Sequence, residues 1–369
     1  MSDASGTVSD AVARIRRALG AACKKSPISL VALSGGLDST IIAWHARLEG
    51  RPQGVAITAR DFVSRDLAYC QMASIDLDVP LEISDVGTDE LFDGISETIK
   101  ILGNYNDIEI RNSVVMYMAI KWAADHGYDS IATGDGADEL FAGYKFLINT
   151  PEEKLAGELE RVRGSMHFTS HKIGRAFGVS VISPFLDEEV VQAAREIDAS
   201  LKVGTRRPGR EVGGRAPDGV GVGSVDGDGE EGGSGKTRHG KWILRMAFED
   251  VIPRRIAWRP KAAMQDGAGT AGLTELFDVM MRMDAEAYAK KCRTIREEDG
   301  VTIRSSESMH YYEIFRGEFG IPSKFRAVEG AARVDGGDIM GDGMRRCPYC
   351  RYVVTADTRF CRMCAAFPI

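Results

Sequence analysis

The residues best suited to chemistry form one run, Ser34-Gly35-Gly36-Leu37-Asp38-Ser39, between an apolar segment, Ile28 to Leu33, and a helix-compatible segment, Thr40 to Trp44. A strand that enters a glycine turn and then a helix leaves backbone N–H groups pointing outward, where glycines let an anion come close. A carboxylate at Asp38 is favourable beside such an anion mainly when a divalent cation lies between them. The run therefore predicts a phosphate cradle with a Mg²⁺ ligand. A capped glycine turn would be the simpler interpretation of a bare Gly-Gly pair.

A second acidic cluster follows another candidate strand, Ser130–Thr133. Asp135, Asp138 and Glu139 place three carboxylates within five residues, an arrangement that is costly without a cation or a cationic substrate. If this strand neighbours the one that leads into the glycine turn, Asp138 approaches Asp38 and both can bind the same Mg²⁺. A helix N-terminus would explain one or two of the carboxylates, but not the glycines around them.

Four of the seven cysteines lie together near the end of the chain, as two Cys-x2-Cys pairs separated by ten residues: Cys347, Cys350, Cys361 and Cys364. Four thiolates at this spacing predict a closed, structural Zn²⁺ site, whose metal would supply the folding energy of so small a module. Two disulfides are the competing explanation, which a cytoplasmic setting disfavours.

The elements that must position these residues alternate between strand and helix. Such alternation predicts an α/β fold with a doubly wound parallel sheet, which binds ligands outside the carboxyl ends of its strands. Residues 151–200 are predicted to be mostly helical, with a break at Ser183–Asp187. The predicted strands are Leu30–Leu33, Val55–Thr58, Leu81–Ile83 and Ser130–Thr133, and the predicted helices cover 8–22, 64–77, 88–102 and 112–125.

Composition narrows the class of protein. With 44% apolar residues, the chain can bury a substantial core. It has neither an apolar run of membrane-spanning length nor the N-terminal pattern of a signal peptide, so we expect a cytoplasmic location and no membrane partner. A net charge of −7 argues against a surface that binds nucleic acid throughout.

Several ordered motifs resemble the synthetase domain of asparagine synthetases and their relatives, the β-lactam-forming synthetases, within the pyrophosphate-loop ATPase superfamily. The resemblance spans about residues 25–270 and implies an adenine nucleotide alpha-hydrolase-like sheet, with ATP and Mg²⁺ as cofactors. The motifs are Ser34–Ser39, Ser64–Leu67, Ile110–Ser113, Gly134–Tyr144, Ser183–Asp187, Lys241–Arg245, Trp258–Lys261 and Asp266–Gly269.

The resemblance also implies the chemistry. A substrate carboxylate, from aspartate or a similar small molecule, attacks the α-phosphorus of ATP and gives an acyl-adenylate and pyrophosphate. Ammonia or another amine then displaces AMP to form an amide. Lys261 would stabilise negative charge near the departing pyrophosphate. Arg111 would neutralise a substrate or phosphate anion, unless it forms an ordinary ion pair.

The remaining implied roles concern the nucleotide and the metal. The pyrophosphate would be held by Ser34, Gly35, Gly36 and Ser39, the nucleotide by Leu33, Ile57, Thr133 and Gly134, and Mg²⁺ by Asp38 and Asp138. Asp135 stands where the family has a glutamate, one methylene longer. That difference affects a group that positions an amine or acts as a base, so the identity of the substrate is less secure than the class of reaction.

The N-terminus departs from the glutamine-dependent members of the family. Those begin with an amidohydrolase domain whose nucleophile is a cysteine exposed by removal of the initiator methionine, whereas this chain has Ser2. We therefore expect free ammonia or a separate glutaminase subunit to supply the nitrogen.

The predicted organisation has five parts. They are a pyrophosphate-loop ATP-binding synthetase domain at 1–204, a disordered glycine-rich insertion at 205–239, a helical continuation of the synthetase domain at 240–328, a linker at 329–344 and the zinc ribbon at 345–369. The ribbon is basic, with Arg345, Arg346, Arg351, Arg359 and Arg362, which indicates either docking to RNA or an acidic protein or a solvated surface on a stabilising clip.

Two alternatives to an amide ligase stay open. One is an RNA-modifying pyrophosphate-loop enzyme that adenylates a base while the ribbon binds the RNA. The other is a nucleotide-binding regulator that has lost turnover. Pyrophosphate release stimulated by a carboxylate would favour the ligase, release stimulated by RNA would favour the RNA-modifying enzyme, and nucleotide binding without release would favour the regulator.

Overall fold

The computed structural model describes residues 2–60, 66–205, 238–259, 277, 284–325 and 343–369. Its central element is a parallel sheet of five strands in the order β3-β2-β1-β4-β5. The chain builds one side of the sheet first and then crosses to the other side, so β1 and β4 are neighbours at the switch point. The predicted α/β class is therefore confirmed. The strands are β1 (Leu30–Ala32), β2 (Gln53–Ala59), β3 (Leu81–Val86), β4 (Ser130–Ala132) and β5 (Ser180–Ile182).

Helices cover both faces of the sheet. They are α1 (Ser2–Lys24), α2 (Leu37–Glu49), α3 (Leu67–Leu77), α4 (Thr88–Leu102), α5 (Asp107–Asp125), α6 (Ala137–Phe141), α7 (Lys145–Ile148), α8 (Glu152–Gly164), α9 (Thr169–Phe177), α10 (Glu188–Glu196), α11 (Trp242–Phe248), α12 (Arg254–Ala257), α13 (Ala285–Asp299) and α14 (Ser306–Phe319), with 3-10 turns at Pro184–Leu186 and Ala199–Leu201. One apolar cluster joins α1, α2, α10 and α11, and another joins α4, α5, α9 and α14. None of the helices in the described ranges has both the length and the apolar character needed to cross a membrane.

The main difference from the sequence prediction is β5. Ser180–Ile182 lies within a stretch predicted to be mostly helical, yet it pairs in parallel with β4. Three residues are too few to show a strand period, and their neighbours are helical. A smaller difference is at α5, which begins at Asp107, because the Asn106 side chain accepts a hydrogen bond from Glu109 N at 3.1 Å.

The ends of the predicted insertion are paired. Strand β6 (Val203–Thr205) runs antiparallel to β7 (Arg238–Gly240), so Thr205 and residues 238–239 belong to a hairpin, and residues 206–237 lie outside the described part. Immediately after β7, Lys241 N donates to Phe141 O at 2.8 Å. This bond fixes the entry into α11 against the end of α6.

The cysteine-rich end forms a hairpin of β8 (Met344–Arg346) and β9 (Val353–Thr355) and packs on the body of the protein. Tyr105 N donates to Met363 O at 3.1 Å, and Thr302 N donates to Tyr349 O at 2.7 Å. The cysteines share an apolar cluster with Tyr105, Tyr312 and Phe315. The ribbon is therefore an integral wall of the fold, and most of its predicted linker, residues 326–342, is outside the described ranges.

Candidate active site

The glycine run leaves the carboxyl end of β1 and opens α2. Gly36 precedes the first helical residue, and no side chain caps that end of the helix, so its first N–H groups are available to an anion. Two hydroxyls shape the turn: Ser34 N donates to Ser39 Oγ at 3.2 Å, and the two serine oxygens are 3.0 Å apart. The turn therefore has the open helix start that a phosphate cradle requires.

Close packing explains the first glycine of the run. Gly35 has φ +65°, and a Cβ on it would lie 2.5 Å from Cys70 N. Its carbonyl accepts from Arg259 Nη1 at 3.1 Å. Arg259 also pairs with Asp66 and lies 4.0 Å above the ring of Tyr69. The start of α3 therefore supports the turn from behind, through an arginine to which sequence reasoning gave no role.

The two predicted metal ligands lie together at the switch point. Lys241 Nζ is 2.5 Å from Asp38 Oδ2 and 2.7 Å from Asp138 Oδ1. Burial lowers the pKa of this lysine, but the two carboxylates outweigh burial and hold its pKa above the ordinary value. Sequence reasoning placed Lys241 only within a motif, and its position directly before α11, with φ +55°, had no signal in the sequence.

The surroundings of the two carboxylates fit a cation. A Cβ on Gly134 would lie 2.8 Å from Asp38 Cβ, and a Cβ on Gly143 would overlap the Asp138 carboxylate. Two hard oxygen ligands that converge on one cationic position are the donor set that Mg²⁺ uses beside phosphates. The residues present therefore fit the ion.

Asp135 is half-buried and lies in a network of hydroxyl groups. Ser170 Oγ donates to Asp135 Oδ2 at 2.5 Å, and Thr133 Oγ1 lies 3.1 Å from Ser183 Oγ, which is 3.1 Å from His171 Nε2. Burial raises the pKa of Asp135, although hydrogen bonds from Ser170 and Thr133 oppose that rise. The shortened carboxylate thus has hydroxyl partners that the sequence did not predict.

Most of the predicted nucleotide residues line one cleft. Leu33, Ile57 and Thr133 line it together with Ser34, Gly36, Asp38, Ser39, Gly134, Asp135 and Asp138. Gly35 supports this cleft from the turn behind it.

Two predicted catalytic residues are not placed there. Arg111 is not among the described residues that line the cleft; its Nε lies 3.4 Å from Glu307 Oε1 and donates to Asp107 O at 3.3 Å. This arrangement is the ordinary ion pair that the sequence left as the alternative. Lys261 lies outside the described residues, as do Ser64, Arg65 and Asp266–Gly269.

A buried arginine, Arg245, forms hydrogen bonds to the backbone segments next to the two proposed metal ligands. Arg245 donates to Gly240 O at 2.8 Å, Ala257 O at 2.6 Å and Arg259 O at 3.0 Å. Burial lowers its pKa to about 10, against the opposing effect of Asp38 and Asp138. Arg245 thereby fixes both the turn that carries Lys241 and the segment that carries Arg259.

The four cysteines form a compact cluster. Their sulfur atoms all lie within 4.8 Å of one another, with Cys347 to Cys364 at 3.9 Å and Cys350 to Cys361 at 3.7 Å. Tetrahedral Zn²⁺ with Zn–S bonds of about 2.3 Å requires sulfurs about 3.8 Å apart. None of the four is in a disulfide, so the donor set fits a structural zinc ion.

Comparison with known proteins agrees with this geometry. Residues 14–164 and 158–302 match the asparagine synthase family. The glutamine-hydrolyzing asparagine synthetase B of Escherichia coli strain K12 is 26% identical over 328 residues, which are 82% of this chain and 52% of that protein. The glutamine-hydrolyzing asparagine synthetase 2 of Arabidopsis thaliana is 28% identical over 269 residues, 67% of this chain and 41% of that protein. The chain thus spans about half the length of such relatives, and it belongs to the asparagine synthase family.

Proposed function

We propose that this protein is an ATP-dependent carbon–nitrogen ligase that adenylates a carboxylate and then aminates it. The observation that carries the proposal is the convergence of Asp38 and Asp138 on one cationic position, beside the uncapped start of α2. This is where a doubly wound sheet binds nucleotides. The family match supports ATP as the activating substrate.

Each part of the cleft has a role in binding ATP. The N–H groups at the start of α2 and the hydroxyls of Ser34 and Ser39 would hold the pyrophosphate portion. Asp38 and Asp138 would hold Mg²⁺, which neutralises phosphate charge when bound. Leu33, directly after β1, and Ile57, within the neighbouring β2, would offer apolar contacts to the nucleotide.

In the first step, a carboxylate oxygen bonds to the α-phosphorus while the bond from that phosphorus to the bridging oxygen breaks. Pyrophosphate leaves with the electron pair. In the second step, ammonia attacks the acyl carbon, loses a proton, and AMP departs. Asp135 is the group that we assign to that proton, because it is a carboxylate that lines the cleft and burial raises its pKa, which makes it a stronger base than an ordinary aspartate. Lys261 would stabilise charge on the departing pyrophosphate.

The substrates are proposed from the relatives. Aspartate or a similar carboxylate is the acceptor, and the nitrogen comes from ammonia or from a separate glutaminase. The relatives named above are glutamine-hydrolyzing synthetases.

The ribbon gives little support to the RNA-modifying alternative. Arg345 donates to Thr358 O and, at 2.6 Å, to Ile369 O, and Arg346 donates to Arg351 O at 3.1 Å. Guanidinium groups bound to backbone carbonyls are less available to phosphates.

The test is pyrophosphate release from ATP and Mg²⁺ with ammonium and a panel of carboxylates that includes L-aspartate. We expect pyrophosphate release to require a carboxylate, and formation of an amide product to require ammonium as well. Asp38→Asn should abolish it, and Asp76→Asn, an exposed carboxylate at the far end of α3, should not. Release stimulated only by total RNA would favour the RNA-modifying enzyme, and nucleotide binding with no release would favour the regulator.

A further inference from the structure

The zinc ribbon forms part of the same cleft as the glycine run. Residues Asp357–Phe360, Arg362 and Phe367 line it together with Ser34 and Asp138. Arg362 Nη2 donates to Ser165 O at 2.8 Å, five residues before Ser170, the hydrogen-bond partner of Asp135. The ribbon is thus fixed to the segment that carries the Asp135 network.

The arginines of this cleft differ in what their side chains bind. In the described part of the chain, four of them have carboxylate or carbonyl partners: Arg161 with Glu158, Arg245 with three carbonyls, Arg259 with Asp66 and Arg362 with Ser165. Arg359 differs, because the described contact of its guanidinium is the ring of Phe367, at 5.8 Å. Arg238 also lacks such a partner there, but it directly follows residues 206–237, so we base the argument on Arg359.

Exposed aromatic rings line the same cleft as Arg359. Phe360 is 36% exposed and Phe367 is 65% exposed, and Phe146, 49% exposed, lines the cleft as well. These are the phenylalanines among the exposed large apolar residues of the described chain. Apolar rings that border a cleft with available cations such as Arg359 indicate a ligand that is both apolar and anionic.

We propose that the ribbon is the acceptor-binding wall of the enzyme. The acceptor is a carboxylic acid with a second anionic group, which Arg359 binds, and an aromatic body, which packs on Phe146, Phe360 and Phe367. Free aspartate has no apolar group and would leave the three rings in water. A guanidinium forms bidentate hydrogen bonds to a carboxylate and stacks on rings, which suits Arg359 to this contact. The proposal rests on the proposed function, because it names the substrate class of the same site.

The probes are N-phenylacetyl-L-aspartate and N-acetyl-L-aspartate, which share two carboxylates and differ in the ring. With the zinc-loaded full chain, we expect the KM for the phenylacetyl compound to be about tenfold lower, the effect of burying part of one ring. Arg359→Ala should raise that KM about tenfold and leave the KM for ATP unchanged. Equal KM values for the two probes, or an unchanged KM in Arg359→Ala, would overturn the proposal.

Arg351→Ala is the matched control, since Arg351 is also an exposed ribbon arginine but is not a described residue of the cleft wall. It should change neither KM, and both variants should retain one zinc per chain. Calorimetric binding of N-phenylacetyl-L-aspartate in the presence of a non-hydrolysable ATP analogue separates the two proposals. If the probe binds, Arg359→Ala weakens that binding and no pyrophosphate is released, the acceptor wall is supported and the ligase function is contradicted. If aspartate stimulates pyrophosphate release but the probe does not bind, the ligase function is supported and the acceptor wall is contradicted. Pyrophosphate release stimulated by RNA alone contradicts both proposals.

Discussion

At the scale of single residues, Lys241 neutralises two carboxylates that would otherwise repel each other. Replacing it by methionine keeps the apolar stem and removes the charge. Because removal of one partner leaves a buried pair uncompensated, we expect Lys241→Met to lower the free energy of unfolding by about 3–5 kcal/mol. Mg²⁺ should restore part of that loss, since it binds the same carboxylates only in the folded state.

Urea denaturation with and without Mg²⁺ measures this effect. Lys100→Met is the control, because Lys100 is an exposed lysine paired with Glu97 on α4; it should change stability little and show no added response to Mg²⁺. A Lys241→Met protein as stable as the parent in the absence of Mg²⁺ would contradict the role of Lys241.

Asp135 gives a pH prediction at the same scale. Burial raises its pKa, so a reaction that needs the deprotonated carboxylate should lose rate on acidification at a higher pH than an ordinary aspartate would impose. Ser170→Ala removes a hydrogen bond that favours the charged form and should move the acidic limb to still higher pH. The pH dependence of kcat for amide formation measures both, with Ser180→Ala, an exposed serine, as control. If Ser170→Ala does not move the acidic limb of the kcat profile, Asp135 is not the base.

At the scale of elements, the sequence predicts what depends on local pattern. The apolar run before Ser34 and the run before Thr133 are strands, and their adjacency brings the two glycine-rich turns together, as expected of a doubly wound sheet. Strand β5 is too short to be recognised. Lys241 reaches Asp38 across 203 residues of sequence, a contact that depends on the hairpin β6–β7, the bond to Phe141 O and the hydrogen bonds of Arg245. The partner of Arg111 is likewise on a distant helix, α14, so its ion pair had no local signal.

The segment that leads into β6 contains a buried lysine, Lys202, and yields a stability prediction. Its Nζ donates to Ala194 O at 2.6 Å, and burial lowers its pKa to about 7. The unfolded chain therefore binds more protons than the folded chain above that value, and stability should rise from pH 7 towards the ordinary lysine pKa, by at most about 1.4 kcal/mol per pH unit. Lys202→Met should remove this rise, as measured by urea denaturation at pH 7 and pH 9. If the stability of the parent relative to Lys202→Met fell from pH 7 to pH 9, the predicted direction of the pH dependence would be wrong.

At the scale of the whole molecule, the four-cysteine cluster connects the ribbon to the helices beside the cleft. The cysteines share a core with Tyr105 and Tyr312, and Arg304 on the other side of the ribbon donates to Cys364 O at 2.7 Å and pairs with Asp107 at the start of α5. Because a small ribbon depends on its metal to fold, zinc removal should loosen the cleft wall as well as the ribbon.

We expect one zinc per chain, and a chelator should lower the melting temperature and carboxylate-dependent pyrophosphate release together. Cys350→Ser should behave like the chelated protein, whereas Cys292→Ser, outside the cluster, should retain zinc and activity. Full activity in a zinc-free protein would show that the ribbon and the cleft are independent, and would also remove the basis for an acceptor wall.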